Sequence, residues 1–376
     1  MYREKTVGVV VPAYNEEGFV GEVIDTIPAF VDRVYPVDDC STDRTWAEIR
    51  AHADRLNDSE RPLNDSERPV TDGHGRELRR ADSGGGATDG GATDGSVVGD
   101  ADDRPARRVV ALRHEENRGV GAAIKTGYRR AREDGMDAVA VMAGDGQMDP
   151  DYLPRVLDPV VSGRADYAKG NRLLLKSYRE EMSDWRLFGN ALLTMLTKIA
   201  SGYWKMMDPQ NGYTAISHDA LDALDLDSIF DDYGFANAML VHLNVAEMRV
   251  ADVPMPARYG DEDSDIRYST FVPQLSALLA RGFGWRLTTK YLVREFHPLA
   301  FLYGLGVLGT LAGLYGSVRD RVRGERGCGP ATALVGLLSG VLAMAFDRYE
   351  NDDRYVRTDP EAGEASVGTD PEEGEQ

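Results

Sequence analysis

The sequence predicts an α/β protein with a doubly wound, mainly parallel sheet, followed by a two-helix membrane hairpin. Three observations carry this. Short β-branched runs alternate with segments of helical apolar spacing, the pattern of successive βα units. Four of those strand runs end in polar stretches, PAYNEE, DDCSTD, NRGVGAAIKTG and GDGQMD, as expected where ligands bind at the carboxyl edge of an open sheet. Finally, Leu299–Val318 and Ala331–Phe346 carry no charge, and the first has the length needed to cross a bilayer core.

The elements follow in order. TVGVVVP, residues 6–12, is short, continuous and β-branched, which suits a buried strand. Val20, Val23, Ile24 and Ile27 then recur at helical spacing. VDRVYPVDD reads as a second strand, and STDRTWAEIRAHA as a helix with a polar cap ahead of it. From 55 to 107 large apolar residues almost vanish, LNDSERP occurs twice in tandem, and GATDG occurs twice. Such a segment has too little apolar surface to offset its ordering entropy, so a disordered insertion is expected. RVVALRH and AVAVMAG are the third and fourth strands, with a Gly-rich turn and helix between them. The expected division is an α/β domain over 1–270, a juxtamembrane linker over 271–296, two membrane helices over 297–346 and an acidic disordered tail over 347–376. Each apolar run carries a GxxxG, Gly309 with Gly313 and Gly336 with Gly340, which lets helix backbones approach in lipid. The partner is either the other run or a second subunit, which would make a homo-oligomer.

Composition narrows the function. The formal net charge is -20, which excludes the basic footprint of a general nucleic-acid binder and suits a chain kept soluble in high salt. Arginine outweighs lysine, a composition that points to a halophilic archaeon. Cys40 and Cys328 form neither a metal-ligand spacing nor a disulfide framework, and the six histidines lack zinc spacing. MYREKTVGVVVPAYNEE runs directly into a strand without a signal peptide, so the α/β domain is expected in the cytoplasm. The loop RDRVRGERGC is arginine-rich, but basic residues also flank the outer ends of the two runs, so charge gives no clean orientation.

VMAGDGQMDP, Val141 to Pro150, brings a strand to Asp145, Gly146 and Gln147. Oxygen donors there suit a hard cation such as Mg²⁺ or Mn²⁺, whereas Asp before Gly also marks an ordinary turn. The four strand-end stretches in this order resemble glycosyltransferase family 2, the inverting enzymes of GT-A fold, and most of all its polyprenyl-phosphate (dolichyl-phosphate) hexosyltransferase branch. The resemblance covers about 6–54 and 108–268. It implies that Pro12, Ala13, Tyr14, Asn15 and Glu16 frame the nucleoside of a UDP- or GDP-hexose, that Asp39 meets the base edge, and that Asp145 with Gln147 holds Mg²⁺ or Mn²⁺. Ala143 replaces the first acid of the family's pattern, and Val120 stands where many relatives have lysine. Lys125 either faces the diphosphate or lies on a solvated helix face.

Downstream, KGNRL resembles the strand that lines the phosphates, and Arg172 there suits bidentate recognition of phosphate oxygens. DWRLFGNALLTMLTKIASGYW has an apolar stripe beside Arg186 and Lys198. It fits a membrane-interface helix or a core helix; the resemblance favours the interface, with Arg186 at a lipid phosphate. Tyr259, Ser264 and Arg267 resemble a loop near donor and acceptor. Asp208 opens DPQNGYTAIS, the acceptor-side motif, and is either the general base for a hydroxyl acceptor or an orienting group for an already ionised phosphate. The expected function is transfer of a hexose to polyprenyl or dolichyl phosphate by a multi-pass membrane enzyme, for lipid-linked glycan assembly and protein N-glycosylation. Extension of a lipid-linked glycan or surface polysaccharide, with Asp208 as base, is the alternative. A non-catalytic nucleotide-binding scaffold is the third reading.

Overall fold

Valine at alternating positions of the first strand faces two different cores, so that strand becomes the middle of the molecule. A computed structural model describes residues 1–59, 108–173, 184–256, 268–324 and 327–358, without the side chains of 184–188, 190 and 268–272. From the N-terminus the elements are β1 (Val7–Ala13), α1 (Val20–Thr26), β2 (Arg33–Asp38), α2 (Thr45–Ser59), β3 (Leu112–Arg113), α3 (Val120–Glu133) and β4 (Ala138–Val141). They continue with α4 (Leu153–Val161), β5 (Tyr167–Asn171), α5 (Asp184–Ser201), β6 (Thr214–Ser217), α6 (His218–Ala223), α7 (Phe235–Val245) and β7 (Val250–Pro254). The chain closes with α8 (Tyr268–Thr288), a π-helical turn Thr289–Arg294, α9 (Leu299–Arg323), α10 (Gly329–Glu350) and β8 (Tyr355–Arg357).

The strands form one sheet in the order β3-β2-β1-β4-β6-β5-β7-β8. Pairing is parallel except where β6 lies antiparallel between β4 and β5. Val7, Val9 and Val11 pack with α1, α2 and α4 on one face, while Val10 packs with α3 and α7 on the other. The register places Ala13 beside Asp38, Val10 beside Val141, and Asn171 beside Pro254. The parallel strands therefore deliver their carboxyl ends to one edge. β6 runs the other way, so its start, Thr214 beside Val141, reaches that same edge.

Several boundaries differ from the sequence-based expectation. The third strand shrinks to two residues, with Val109 bridging Val34 just before it. Helix α2 continues to Ser59, because Asn57 pairs its side-chain amide with the backbone of Val109 at 2.9 Å in both directions. Residues 60–107 of the expected insertion lie outside the described residues. The expected juxtamembrane linker over 271–296 is occupied by α8 and the π-helical turn. The expected disordered tail starts too early: α10 runs to Glu350, and β8 adds to β7 in parallel register, Val250 beside Tyr355. Residues 359–376 lie outside the described set.

α9 and α10 are long and apolar enough to cross a membrane, and less than a quarter of either apolar window is buried. Leu308, Leu311, Leu334 and Leu338 are exposed, whereas a helix of a soluble core would cover such side chains. The GxxxG glycines are used within the hairpin. A Cβ on Gly313 would fall 2.1 Å from Ala333 N, and one on Gly336 would fall 2.2 Å from Thr310 N. Of the two partners these motifs allow, the other run of the hairpin is one that the glycine faces meet.

Gly336→Leu should therefore overpack the hairpin and destabilise it by about 1–3 kcal/mol or more. Gly304→Leu, at a glycine with open space around it, should be tolerated. Thermal unfolding of both variants in detergent checks this; equal effects would contradict the packing.

Candidate active site

The carboxyl edge is assembled by stitching loops to the end of β1. Asp39 N donates to Ala13 O at 2.9 Å, and Gly144 N donates to Pro12 O at 3.0 Å. Pro12 and Ala13 are buried, so they contribute backbone and shape. Tyr14 and Asn15 are exposed at the rim. Asn15 takes a left-handed backbone (φ 57), and its Oδ1 accepts from Thr42 N at 2.9 Å while its own N–H donates to Ser41 Oγ at 3.0 Å. Glu16 N donates to Thr45 Oγ1 at 2.7 Å. The loops after β1 and β2 are thereby one unit, and asparagine suits the position because it tolerates that backbone region.

Asp39 ties the third loop to this unit. Its carboxylate accepts from His114 Nδ1 at 2.6 Å, Arg118 N at 2.9 Å and Gly119 N at 2.8 Å. A carboxylate only accepts, so Nδ1 of His114 carries the proton, and Nε2 lies 2.8 Å from Thr126 Oγ1. Neighbouring Asp38, fully buried, pairs with Arg113 Nε at 2.9 Å. Neither His114 nor Asp38 stood out in the sequence; the lone histidine ending an apolar strand was the available signal for the first. Lys125 does not lie on a solvated helix face. It is buried on α3, with Nζ donating to Ile229 O at 2.7 Å and pairing with Asp231. Its ammonium holds the segment before α7.

The fourth loop contains Asp145 and Gln147. Asp145 Oδ1 accepts from Gln147 N at 3.0 Å, and Gly146 between them has φ 71, so the stretch is both a turn and a carrier of donors. Burial pushes the Asp145 carboxyl up, and the backbone amide of Gln147 offsets this only in part. No group of three or more acids, histidines or cysteines suited to a metal exists among the described residues. Asp145 with Gln147 fits a hard divalent cation that is shared with donor oxygens and water. A half-buried carboxylate whose burial is opposed only by backbone amides is a suitable partner for such a cation.

The fifth and sixth pieces come from β5 and the loop before β6. Asp208 has φ 48 and is 3% exposed. It accepts from Arg172 Nε at 2.8 Å, from a terminal guanidinium nitrogen of Arg172 at 2.9 Å, and from Arg172 N at 3.0 Å. Burial pushes the Asp208 carboxyl up, but the hydrogen bonds and charge of Arg172, with the charge of Lys169, outweigh it and hold the carboxyl below its usual range. A carboxylate so held is a poor proton acceptor. Tyr213 OH donates to Asp149 O at 3.1 Å, which fastens this loop to the Asp145 loop.

Beneath Asp208 lies a pair that sequence reasoning missed. Lys169 and Asp252 are register partners on β5 and β7, almost wholly buried, 2.9 Å apart. Lys169 Nζ also donates to Asp208 O at 2.9 Å and to Met207 O, and Asp252 accepts from Met207 N at 2.8 Å and Asn171 Nδ2 at 2.9 Å. One basic and one acidic residue in two short, largely uncharged strands, YAKGN and VADVP, were the signal. Arg186 lies on α5 with its side chain outside the described set, and Tyr259, Ser264 and Arg267 lie outside the described residues. Further along α5, Thr194, Thr197 and Ala200 are buried, and Leu192, Met195 and Leu196 are exposed, so the helix has one packed face and one open apolar face.

Two outcomes follow from this arrangement. Lys169→Met strands a buried carboxylate and should cost about 3–5 kcal/mol in chemical denaturation; a loss well below 1 kcal/mol would contradict the pairing. Because the folded-state pKa of Asp208 is depressed, its stabilising contribution is complete above the unfolded value of about 4 and is lost as pH falls through the folded value. The wild-type chain should then lose stability more steeply than Asp208→Asn below about pH 4. Parallel acid-unfolding curves would overturn that.

A model described as glycosyl transferase family 2 matches residues 8–80 and 88–225. The chain is 25% identical over 257 residues to the UDP-N-acetylglucosamine–dolichyl-phosphate N-acetylglucosaminyltransferase of Methanococcus voltae, covering 68% of this chain and 87% of that protein. It is 31% identical over 158 residues to the undecaprenyl-phosphate mannosyltransferase of Micrococcus luteus, covering 41% of this chain and 64% of that one. Among solved structures, the glucosyl-3-phosphoglycerate synthase of Mycobacterium tuberculosis, in complex with Mn²⁺, UDP and glucosyl-3-phosphoglycerate, superposes with a TM-score of 0.47 at 18% identity, over 75% of this chain and 81% of that one. With the family match spanning more than half of its 376 residues and the polar loops gathered on one edge of a GT-A-like sheet, the chain belongs to glycosyl transferase family 2 and is a glycosyltransferase.

Proposed function

We propose that the protein is a membrane-anchored inverting hexosyltransferase that moves a hexose from a UDP- or GDP-sugar to polyprenyl or dolichyl phosphate, using Mg²⁺ or Mn²⁺. The observation that carries this reading is the state of Asp208. Its carboxylate is clamped by Arg172 and its affinity for a proton is lowered. A sugar hydroxyl acceptor needs a base; an ionised phosphate does not, and needs positioning and charge stabilisation instead. Clamping fixes the plane of the Arg172 guanidinium, which suits recognition of phosphate oxygens.

In this reading a phosphate oxygen of the lipid attacks the anomeric carbon from the face opposite the leaving group. The new carbon–oxygen bond forms as the bond to the nucleoside diphosphate breaks, and the diphosphate leaves with the electron pair. Configuration at the carbon inverts. Arg172 orients the attacking phosphate, and Asp208 orients Arg172. Tyr14, Asn15 and Glu16, with the backbone of Pro12 and Ala13 and with Asp39, frame the nucleoside. Asp145 and Gln147 are the residues that would hold the divalent cation, which neutralises charge on the departing diphosphate.

The hairpin supports a lipid-borne acceptor. β8 returns the chain to the catalytic sheet after α10, which supports a hairpin whose two ends lie on the side of the catalytic domain. With the nucleotide-sugar pool in the cytoplasm, the catalytic domain faces it. The open apolar face of α5 suits contact with the membrane interface.

The test is transfer of radiolabelled hexose from a panel of UDP- and GDP-sugars, in high salt with Mg²⁺ or Mn²⁺, using membranes that contain the protein. Label should appear in a mild-acid-labile lipid when polyprenyl phosphate is supplied. Asp145→Ala should lower the rate by about 10²-fold or more. Label that appears only with a lipid-linked saccharide would sink the phosphate-acceptor reading, and full activity in the variant would remove Asp145 from the metal site.

A further inference from the structure

Asp347 lies on α10, a helix long and apolar enough to span a membrane, yet the side chain is 0% exposed and ionisable. Arg286 of α8 meets it with both terminal guanidinium nitrogens, at 3.0 and 2.8 Å. Tyr291 OH donates to it at 2.9 Å, Tyr303 OH at 3.3 Å, Asn351 Nδ2 at 3.0 Å and Trp204 Nε1 at 3.2 Å. A buried ion pair of this kind is seldom more stable than apolar residues of the same volume, because both charges must be desolvated. Stability alone therefore does not account for it.

What the cluster fixes leads to the acceptor site. Arg286 also donates to Ala200 O at 2.9 Å and Ile199 O at 3.2 Å, which satisfies carbonyls at the end of α5. The next turn is Gly202, with φ 80, where a Cβ would fall 2.5 Å from the Arg286 guanidinium. Trp204 follows, and then Met207 and Asp208, which are held by Asp252 and Lys169. An unbroken path of hydrogen bonds and short chain thus runs from a membrane helix to the Arg172–Asp208 pair.

We propose that Asp347 is a positioning residue for acceptor recognition. Through Arg286 and Trp204 it sets the Gly202–Asp208 segment, and with it Arg172, at a fixed height relative to the membrane hairpin. This rests on the lipid-phosphate reading of the site. A phosphate on a long prenyl chain reaches the enzyme only at the depth where the bilayer holds it. A short, water-soluble prenyl phosphate approaches from solution and is indifferent to that height. The device therefore acts on one kind of acceptor and leaves donor binding alone.

The test uses the full chain in phosphatidylcholine–phosphatidylglycerol nanodiscs, with UDP- and GDP-hexose donors and two acceptors, an embedded long-chain polyprenyl phosphate and soluble geranyl phosphate. Asp347→Asn should raise KM for the embedded acceptor by about tenfold or more, with donor KM and turnover of geranyl phosphate within about twofold of wild type. Trp204→Phe keeps an aromatic, though smaller, side chain and removes one hydrogen bond to Asp347, so it should move the same parameter in the same direction by less, and it stands in if the first variant does not fold. Equal losses on both acceptors, a changed donor KM, or no change would overturn the proposal. Hydrogen exchange supplies a readout independent of transfer: protection over residues 199–211 should fall in Asp347→Asn while β1 and β2 keep theirs. Unchanged exchange there overturns the coupling. Failure of the wild type to use either phosphate would instead sink the lipid-phosphate reading and leave exchange to decide the coupling.

Discussion

Lys169 and Asp252 face each other across two neighbouring strands, almost without water, at 2.9 Å. Much of the site hangs on that contact. Desolvating two charges is costly, and the cost is met only because each partner also satisfies backbone or side-chain groups around it. Those extra bonds reach Met207 and Asp208. They hold Asp208 in a left-handed backbone conformation that costs about 1 kcal/mol or more in a residue other than glycine. In that conformation the Asp208 carboxylate meets both the backbone and the guanidinium of Arg172. Side-chain chemistry at the edge of the sheet is thus set by an ion pair inside it.

The same device recurs at the other end of the Gly202–Asp208 segment. Arg286 and Asp347 are fully buried and fully bonded, and the residues between Gly202 and Asp208 are held between the two pairs. The chain carries a formal net charge of -20. Salt screens exposed pairs within about 10 Å or less, whereas buried pairs are screened far less. The contacts that fix the site are the ones that a concentrated electrolyte disturbs least.

Backbone strain is distributed in a telling way. Among the described residues six non-glycine positions adopt positive φ: Asn15, Cys40 and Asp208 sit in loops at the carboxyl edge, and Arg3, Glu4 and Glu247 lie ahead of β1 and β7. At the carboxyl edge, Asn15, Cys40 and Asp208 let the loops turn sharply while presenting side chains outward. In the hairpin, glycine meets a steric requirement instead. Gly313 and Gly336 admit a neighbouring backbone that any Cβ would displace.

The sequence by itself determined the alternation of strands and helices, the polar strand ends and the apolar hairpin, because periodicity and charge are local properties. PAYNEE, DDCSTD and GDGQMD could be read directly, since turn chemistry and oxygen donors are visible in short stretches. It did not show that Lys125 is buried against Ile229 and Asp231, that Lys169 meets Asp252, or that Arg286 meets Asp347. Those partners are about 60 to 100 residues apart in the chain. Nor did it show that the acidic stretch after Phe346 turns back to add β8 to the sheet, since a three-residue edge strand is specified by the partner it pairs with. Whether a charged residue is solvated or locked in a core depends on what the fold brings against it, and only the tertiary structure decides that.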